Sequence, residues 1–354
     1  MNISIIKSTS LKPKPEVEKL GFGRHFTDHM FIMSYNHEKG WYDPIIKPYS
    51  PLELEPAAMV LHYGQAVFEG MKCYQSAKGK LLLFRPQENF RRLNVSHARL
   101  CIPEIDEKFA LQALMELIKI EYEWVPTAPG TSLYIRPFTI STESCVGVRP
   151  ANTYLFVIIL SPVGPYFAEG FKTVKIYVED EYVRAVRGGL GFTKAAANYA
   201  SSLKGQVRAA QQGYTQVLWL DGLERKYIEE VGAMNVFFYI GDELITPSLE
   251  GTILAGITRS SIIELAKKEG LKVLERKLSI DELYQAAQKG LLREAFGSGT
   301  AAVISPIGEF KWGDKVFVVG DGKVGPIATK LYDVLTNIQN GNQPDDFHWV
   351  QEVQ

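Results

Sequence analysis

The stretch GFTKAAANYASSLKGQ, residues 191–206, surrounds Lys194 with side chains of almost no bulk. Ala195, Ala196 and Ala197 let a flat ring approach the backbone, while Gly188, Gly189 and Gly191 permit conformations barred to other residues. From about Asn198 the pattern turns helical and runs to Gln212, where Gly213 stops it. A lysine amine is a nucleophile only where a dry or cationic setting makes its free base accessible near neutrality. Most lysines are instead solvated surface cations, so Lys194 stands between two readings until its companions are found.

Outward from that stretch, the second half of the chain alternates strands and helices. FKTVKIYV, TQVLWL, NVFFYI and ELIT read as strands, and GITRSSIIELAKKEG reads as a helix opened at Gly256. Ser279 and Glu282 fit a capping box, and a last helix follows Pro326. The first half is richer in strands: LLLF (81–84), SLYIRPFTI (132–140) and TYLFVIIL (153–160). One helix starts at Pro86 and repeats Phe90, Leu93, His97 and Leu100 on one face, with Arg92 and Arg99 flanking it. Prolines and glycines interrupt SPVGPYFAEGF (161–171), marking a linker. These signs predict a mixed α/β (α+β) protein of two domains, 1–164 and 175–354, joined by 165–174. The tail GNQPDDFHWVQEVQ reads as loosely held.

The composition excludes several classes. With 354 residues, 39 basic and 40 acidic, the net charge of −1 provides no field for a polyanion, so nucleic acid is not an expected partner. No apolar run reaches the length of a membrane span, and the N-terminus does not resemble a signal peptide. Cys73, Cys101 and Cys145 form no C-x-x-C and read as buried packing residues of a reducing, cytoplasmic compartment. His25 and His29 are spaced i, i+4 but lack an intervening glutamate base and further ligands, so no metal is expected. There is no phosphate-binding G-x-x-x-x-G-K-[ST], no G-x-S-x-G and no dinucleotide glycine triplet.

A lysine Schiff base needs a carbonyl partner, and in amino-acid chemistry the usual one is pyridoxal phosphate. Its phosphate, phenolic oxygen and ring nitrogen each require a protein group. GSGTA (297–301) reads as a small-residue turn rich in amides, and Gly256-Ile257-Thr258 as a helix N-terminus that favours an anion. Each has a plainer reading, as a loop and a helix start. Glu230, in YIEEVGAMNVF, is able to hold a pyridine nitrogen protonated, or to be a surface glutamate. Tyr199 reaches a phenolic oxygen or belongs to a core.

Taken in order, K-A-A-A-N-Y, E-V-G-A-M-N, L-A-G-I-T-R and F-G-S-G-T-A resemble the branched-chain-amino-acid aminotransferases, fold-type IV pyridoxal-phosphate enzymes. GFGRHFTDHMF, HYGQAVFEGMK, FRPQENFRRLNVSHARL, WVPTAPGTSLYIRPF and GYTQVLWLDG extend the resemblance over nearly the whole chain. It implies that Lys194 forms the Schiff base, Tyr199 bonds the phenolic oxygen and Glu230 pairs with the pyridine nitrogen. It gives the phosphate to Arg92, the Ile257 and Thr258 amides and Thr300. It gives the substrate carboxylate to Thr300, Ala301 and Tyr134, and an apolar pocket to Phe22, Tyr63, Phe68 and Tyr166, with Arg136 and Gln216 nearby. An aromatic wall suits leucine, isoleucine or valine, whereas glutamate and 2-oxoglutarate bring a second carboxylate that needs a donor, for which Arg136 with Tyr63 is the candidate pair.

The resemblance further implies a homodimer in which the Val146 and Val148 loop reaches the neighbouring pocket, and ping-pong transamination. Two positions depart from the vertebrate pattern: Ala233 replaces a threonine, and Ala302-Val303-Ile304-Ser305 replaces a redox C-x-x-C. Within the same fold, D-amino-acid aminotransferase and aminodeoxychorismate lyase are the alternatives, and a non-catalytic cofactor-holding protein is the alternative of another class.

Overall fold

A computed structural model of the chain describes residues 1–166 and 170–353. They form two units, one of residues 1–166, 193–196 and 337–353, the other of 170–192 and 197–336. This departs from the expected 1–164, 165–174 and 175–354 division, because two later segments belong with the first unit. Of the expected linker, 167–169 lie outside the described residues.

The first unit is built on strands β1 (Ser4–Ile5), β2 (His29–Asn36), β3 (Gly40–Pro48), β4 (Ala66–Phe68), β5 (Met71–Gln75), β6 (Leu81–Phe84), β7 (Ser132–Ser141) and β8 (Thr153–Val163). The sheet order is β1-β3-β2-β8-β7-β5-β6, with β4 also on β7. Strand Val350–Glu352 closes the β6 edge by antiparallel pairing, with Trp349 only 7% exposed. The tail expected to be loose is therefore an ordered edge strand, which protects β6 from other pairings.

Helices α1 (Val60–Tyr63), α2 (Pro86–Arg99) and α3 (Glu107–Ile120) complete this unit. Alternation along β7 sends Leu133 and Ile135 into a core shared with Phe90 and Leu93 of α2 and with Ala110, Leu114 and Leu117 of α3. α3 begins where Asp106 accepts hydrogen bonds from the Lys108 and Phe109 amides, a cap that contributes about 1 kcal/mol. The opposite residues of β7, Tyr134 and Arg136, are left for other work.

The second unit carries β9 (Val174–Glu179), α4 (Ala196–Gln211), β10 (Gln216–Leu220), β11 (Ile228–Val231), β12 (Asn235–Ile240), β13 (Glu243–Thr246), α5 (Ile257–Lys268), β14 (Lys272–Glu275), α6 (Ile280–Gln288), β15 (Leu292–Gly299), β16 (Val303–Trp312), β17 (Lys315–Val318) and α7 (Pro326–Gln339). Its sheet runs β11-β10-β9-β16-β15-β12-β13-β14, with β17 on β16. Helices α4 and α5 are the crossovers of the parallel pairs β9/β10 and β13/β14, the connection that parallel strands require. At α6 only half of the expected capping box forms. Ser279 Oγ accepts from the Glu282 amide, while the Glu282 carboxylate turns to Arg276.

The cysteine expectation holds for Cys73 alone, whose thiol is pushed up to about 12 by burial. Cys101 is exposed and Cys145 half-buried.

Candidate active site

Lys194 is fixed by its backbone on both sides. Its amide donates to Ser96 Oγ at 3.0 Å, its carbonyl accepts from the Phe68 amide at 3.1 Å, and Ala195 bridges to Val67. These bonds belong to a strand edge and to α2, so four residues from late in the sequence become part of the first unit. The Lys194 ammonium lies 4.9 Å from the centre of the Phe68 ring, and the Arg136 guanidinium lies 4.6 Å from the same ring, both cation–π contacts.

Next to Phe68, the carboxylate of Glu69 is fully buried. It accepts from Arg92 Nε at 2.8 Å and Nη2 at 2.9 Å, from Asn89 at 2.8 Å and from the Gly70 amide at 3.2 Å. Burial alone raises such a carboxyl, but the charge and hydrogen bonds of Arg92, the charge of Lys194 and the Asn89 bond hold it below its ordinary value. Arg92, expected at a phosphate, thus has two of its five N–H groups committed to Glu69. Glu69, Asn89 and Ser96 were not singled out in the sequence. The signal available was an acid placed directly between Phe68 and Gly70 in HYGQAVFEGMK.

The aromatic set also gathers in this unit. Phe22 meets Tyr134 edge-on at 4.9 Å, and Tyr134 Oη accepts from Arg136 Nη2 at 3.0 Å. A side chain at position 70 would place Cβ 2.2 Å from that oxygen, so Gly70 is required by close approach. Arg136 Nε is buried and has no hydrogen-bond partner. The Tyr63 hydroxyl donates to the Val146 carbonyl, and Val146 and Val148 project with 78% and 85% exposure. Tyr166 is exposed at 46%.

In the second unit, Glu230 on β11 is 4% exposed. Its Oε1 accepts from the Leu254 amide at 2.9 Å, and its Oε2 lies 3.2 Å from Arg184 Nε. The latter is a charge–charge contact rather than an aligned hydrogen bond, since Arg184 Nε has no hydrogen-bond partner. Arg184 also donates through Nη2 to the Gly191 and Thr252 carbonyls. Gly191 is glycine because a Cβ would fall 2.2 Å from Thr252 O, while Gly188, at φ +80°, is there for its conformation. Arg184 too escaped the sequence reading.

Ile257 and Thr258 form the first turn of α5, whose N-cap, Gly256, supplies no side-chain cap; its first amides are of the kind that receive an anion. Asn235 explains this glycine, because a Cβ at 256 would lie 2.0 Å from its Oδ1. Tyr199 lies on α4. The GSGTA turn needs correction. Residues 297–299 extend β15, their pairing with β16 satisfied in register, and only Thr300 and Ala301 belong to the turn that follows. Gln216, at the start of β10, packs over Gly232, where a Cβ would be 2.3 Å from its Oε1.

The histidines are engaged in the fold. His29 Nδ1 pairs with Glu121 while its Nε2 accepts from the Ser8 amide, a neutral tautomer, and His25 Nε2 bonds the Lys19 carbonyl.

The arrangement of a pinned lysine, a buried acid–base pair around Arg92 and a buried Glu230–Arg184 pair accompanies a clear relationship to known proteins. Residues 66–310 match the family described as amino-transferase class IV, and the chain is a member of that class. It is 58% identical over 351 residues to branched-chain-amino-acid aminotransferase 2 of Bacillus subtilis (strain 168), covering 99% of this chain and 97% of the relative. Branched-chain-amino-acid transaminase 1 of the same organism is 52% identical over 98% of both chains. Among solved structures, the Escherichia coli branched-chain amino acid aminotransferase superposes with a TM-score of 0.76 at 28% identity, covering 92% of this chain and 99% of that one. Within class IV, the chain belongs to the branched-chain-amino-acid aminotransferases. Its fold is the fold-type IV architecture expected from the sequence.

Proposed function

We propose that the protein exchanges amino groups between leucine, isoleucine or valine and 2-oxoglutarate, using pyridoxal 5′-phosphate held by Lys194, Arg92, Tyr199, Glu230, Ile257, Thr258 and Thr300. The observation that carries this reading is the local setting of Lys194: a backbone fixed by Ser96 and Phe68, and an ammonium sharing charge with the buried Glu69–Arg92 pair. The donor set matches the group's chemistry, with a cation and helix-start amides for its phosphate, a buried carboxylate for its ring nitrogen and an amine for its aldehyde. A related Thermus structure carries pyridoxamine 5′-phosphate in its title, at 25% identity and a TM-score of 0.76.

When bound, the cofactor supplies an electrophilic carbonyl and a sink for the electrons of the substrate α-carbon. Lys194 Nζ takes the α-proton and returns it one atom away, so its amine alternates between base and acid. Glu230 accepts the ring N–H and keeps it protonated, with Arg184 and the Leu254 amide orienting the carboxylate. Tyr199 donates to the phenolic oxygen. Thr300, Ala301 and Tyr134 bind the substrate α-carboxylate, and Phe22, Tyr63, Phe68, Tyr166 and Gln216 surround the side chain. Arg136, with an unsatisfied buried N–H, receives the second carboxylate of the dicarboxylic substrate.

The exposed Val146 and Val148, tethered through Tyr63, support a homodimer in which this loop covers the neighbour's pocket. Three unbridged thiols support a reducing, cytoplasmic setting. No helix among the described residues is long and apolar enough to cross a membrane. The test is glutamate formation from each branched-chain amino acid and 2-oxoglutarate, beside Lys194→Ala. Loss of both turnover and the borohydride-sensitive absorption band in the variant is expected. Faster transamination of aspartate or D-alanine than of leucine by the wild type would overturn the assignment.

A further inference from the structure

Within the second unit lies a cavity of about 340 Å³ that the transamination reading does not use. Glu229, Thr252, Ile253 and Ile228 line it, Val186 and Leu223 stand at its exposed side, and Arg187, Glu250 and Lys277 bring charge to it. The volume is that of a small-molecule site.

Glu229 makes this cavity more than a surface fold. The side chain is 5% exposed, Thr252 hydrogen-bonds it, and its Oε2 has no hydrogen-bond partner. A buried carboxylate oxygen lacking a donor costs roughly 1–3 kcal/mol or more, and native proteins keep such groups where something else satisfies them. Burial raises this carboxyl above its ordinary value, opposed by Thr252 and the charge of Arg184, and aided by the charges of Glu230 and Asp221.

The walls are apolar on one side and rigid on another. Ile228 and Ile253 are buried, whereas Val186 and Leu223 expose 48% and 90% of their surfaces. The turn that carries Leu223 is locked by Asp221, which accepts from the amides of Leu223, Glu224, Lys226 and Tyr227. At Gly222 a Cβ would lie 2.6 Å from Val186, so the turn and the 185–186 segment are in close contact. The cations are already matched: Arg187 and Lys277 both pair with Glu250, at 2.5 and 3.2 Å. What the cavity lacks is a donor for Glu229.

We propose that this cavity binds a small ammonium compound with a short branched apolar body, the N–H meeting Glu229 and the hydrocarbon covering Ile253, Val186 and Leu223. The ammonium comes from a free alkylamine or from an amino acid. The site is linked to Glu230 through one short segment, since Thr252 bonds Glu229 and the Leu254 amide bonds Glu230. An occupant therefore adjusts the same backbone that orients Glu230.

The test uses the holoenzyme and tertiary amines, which keep one N–H but cannot condense with an aldehyde. N,N-dimethylisoamylamine and N,N-dimethylleucine are titrated by calorimetry into the wild type, Glu229→Gln and Val186→Trp. Saturable binding to the wild type is expected, weakened about tenfold or more in Glu229→Gln by loss of the charged acceptor. Val186→Trp fills the cavity without touching the acid and is expected to abolish binding with an unchanged circular dichroism spectrum. It decides the matter if Glu229→Gln fails to fold. Tighter binding of the leucine derivative assigns an amino acid as the source, and tighter binding of the amine assigns an alkylamine. No saturable binding to the wild type, or equal affinity in all folded variants, overturns the proposal. Because the readout is binding, either result leaves the transamination assay to be judged separately.

Discussion

Glu69 grips the Arg92 guanidinium with both carboxylate oxygens, at 2.8 and 2.9 Å, in a pair whose acid is fully buried and whose base is 12% exposed. Removing one partner of such a pair strands the other, which costs about 3–5 kcal/mol when both are fully dry. The slight exposure of Arg92 places Glu69→Ala near the lower end of that range, measurable as a lower denaturant midpoint. Glu69→Gln keeps the shape and loses the charge, and it is expected to weaken cofactor retention about tenfold as Arg92 loses its orientation. Cofactor dissociation followed by absorbance checks this. The folded carboxyl is held below its ordinary value of 4.5. Its contribution to stability is therefore complete above that pH and is lost as acid protonates it in the folded state. In Glu69→Gln, the fall in stability between neutral pH and pH 4 and below should be shallower than in the wild type.

Gly70 admits no side chain, because the new Cβ would stand 2.2 Å from Tyr134 Oη and 3.1 Å from the ring carbon bearing it. The ring has no flexible end to yield, so Gly70→Ala displaces Tyr134 and with it the 3.0 Å bond from Arg136. Overpacking of this kind costs about 1–3 kcal/mol. The expected outcome is a folded enzyme whose kcat/KM for every substrate falls at least about tenfold. Steady-state kinetics beside a melting curve separates the two effects.

What could be read from the sequence follows from range. Helix α2 was legible because Pro86 and the spacing of Phe90, Leu93 and His97 are local signals, and α4 ended at its glycine, Gly213, for the same reason. The function was legible because motifs scattered over the chain occur in one order. The tail was misread: WVQEV has no strong strand period of its own, and only pairing with β6 makes it a strand. GSGTA was misread because glycines suggest a turn, whereas Gly297 is small to fit beside Met234 and Val231 within a strand. Glu69 and Arg184 were missed because a buried ion pair is a tertiary fact. Neither acid nor base differs in sequence from the many charged residues that face water.

Arg136 offers a test of how one pocket takes two kinds of substrate. Its guanidinium rests on Phe68 and reaches Tyr134, yet its buried Nε has no hydrogen-bond partner. Arg136→Gln is expected to slow the half-reaction with glutamate or 2-oxoglutarate roughly 10–100-fold, the value of a hydrogen bond to a charged group. The half-reaction with leucine, which brings no second carboxylate, should change far less. Stopped-flow measurement of each half-reaction checks this, and equal losses in both would remove Arg136 from its assigned role.

Glu230 and Arg184 make the corresponding pair in the second unit, 4% and 8% exposed. Glu230→Gln removes the charge that would hold a ring nitrogen protonated, and kcat is expected to fall about 100-fold or more. It also leaves Arg184 without its counter-charge, although Nη2 still donates to the Gly191 and Thr252 carbonyls. Stability should therefore fall as well, and a single variant cannot separate the two consequences. The double variant Glu230→Gln/Arg184→Gln does, because with both charges gone the desolvation penalty disappears. Its melting temperature is expected to exceed that of Glu230→Gln alone, while its kcat stays as low. Recovery of activity together with stability would mean that Glu230 serves the fold and not the chemistry.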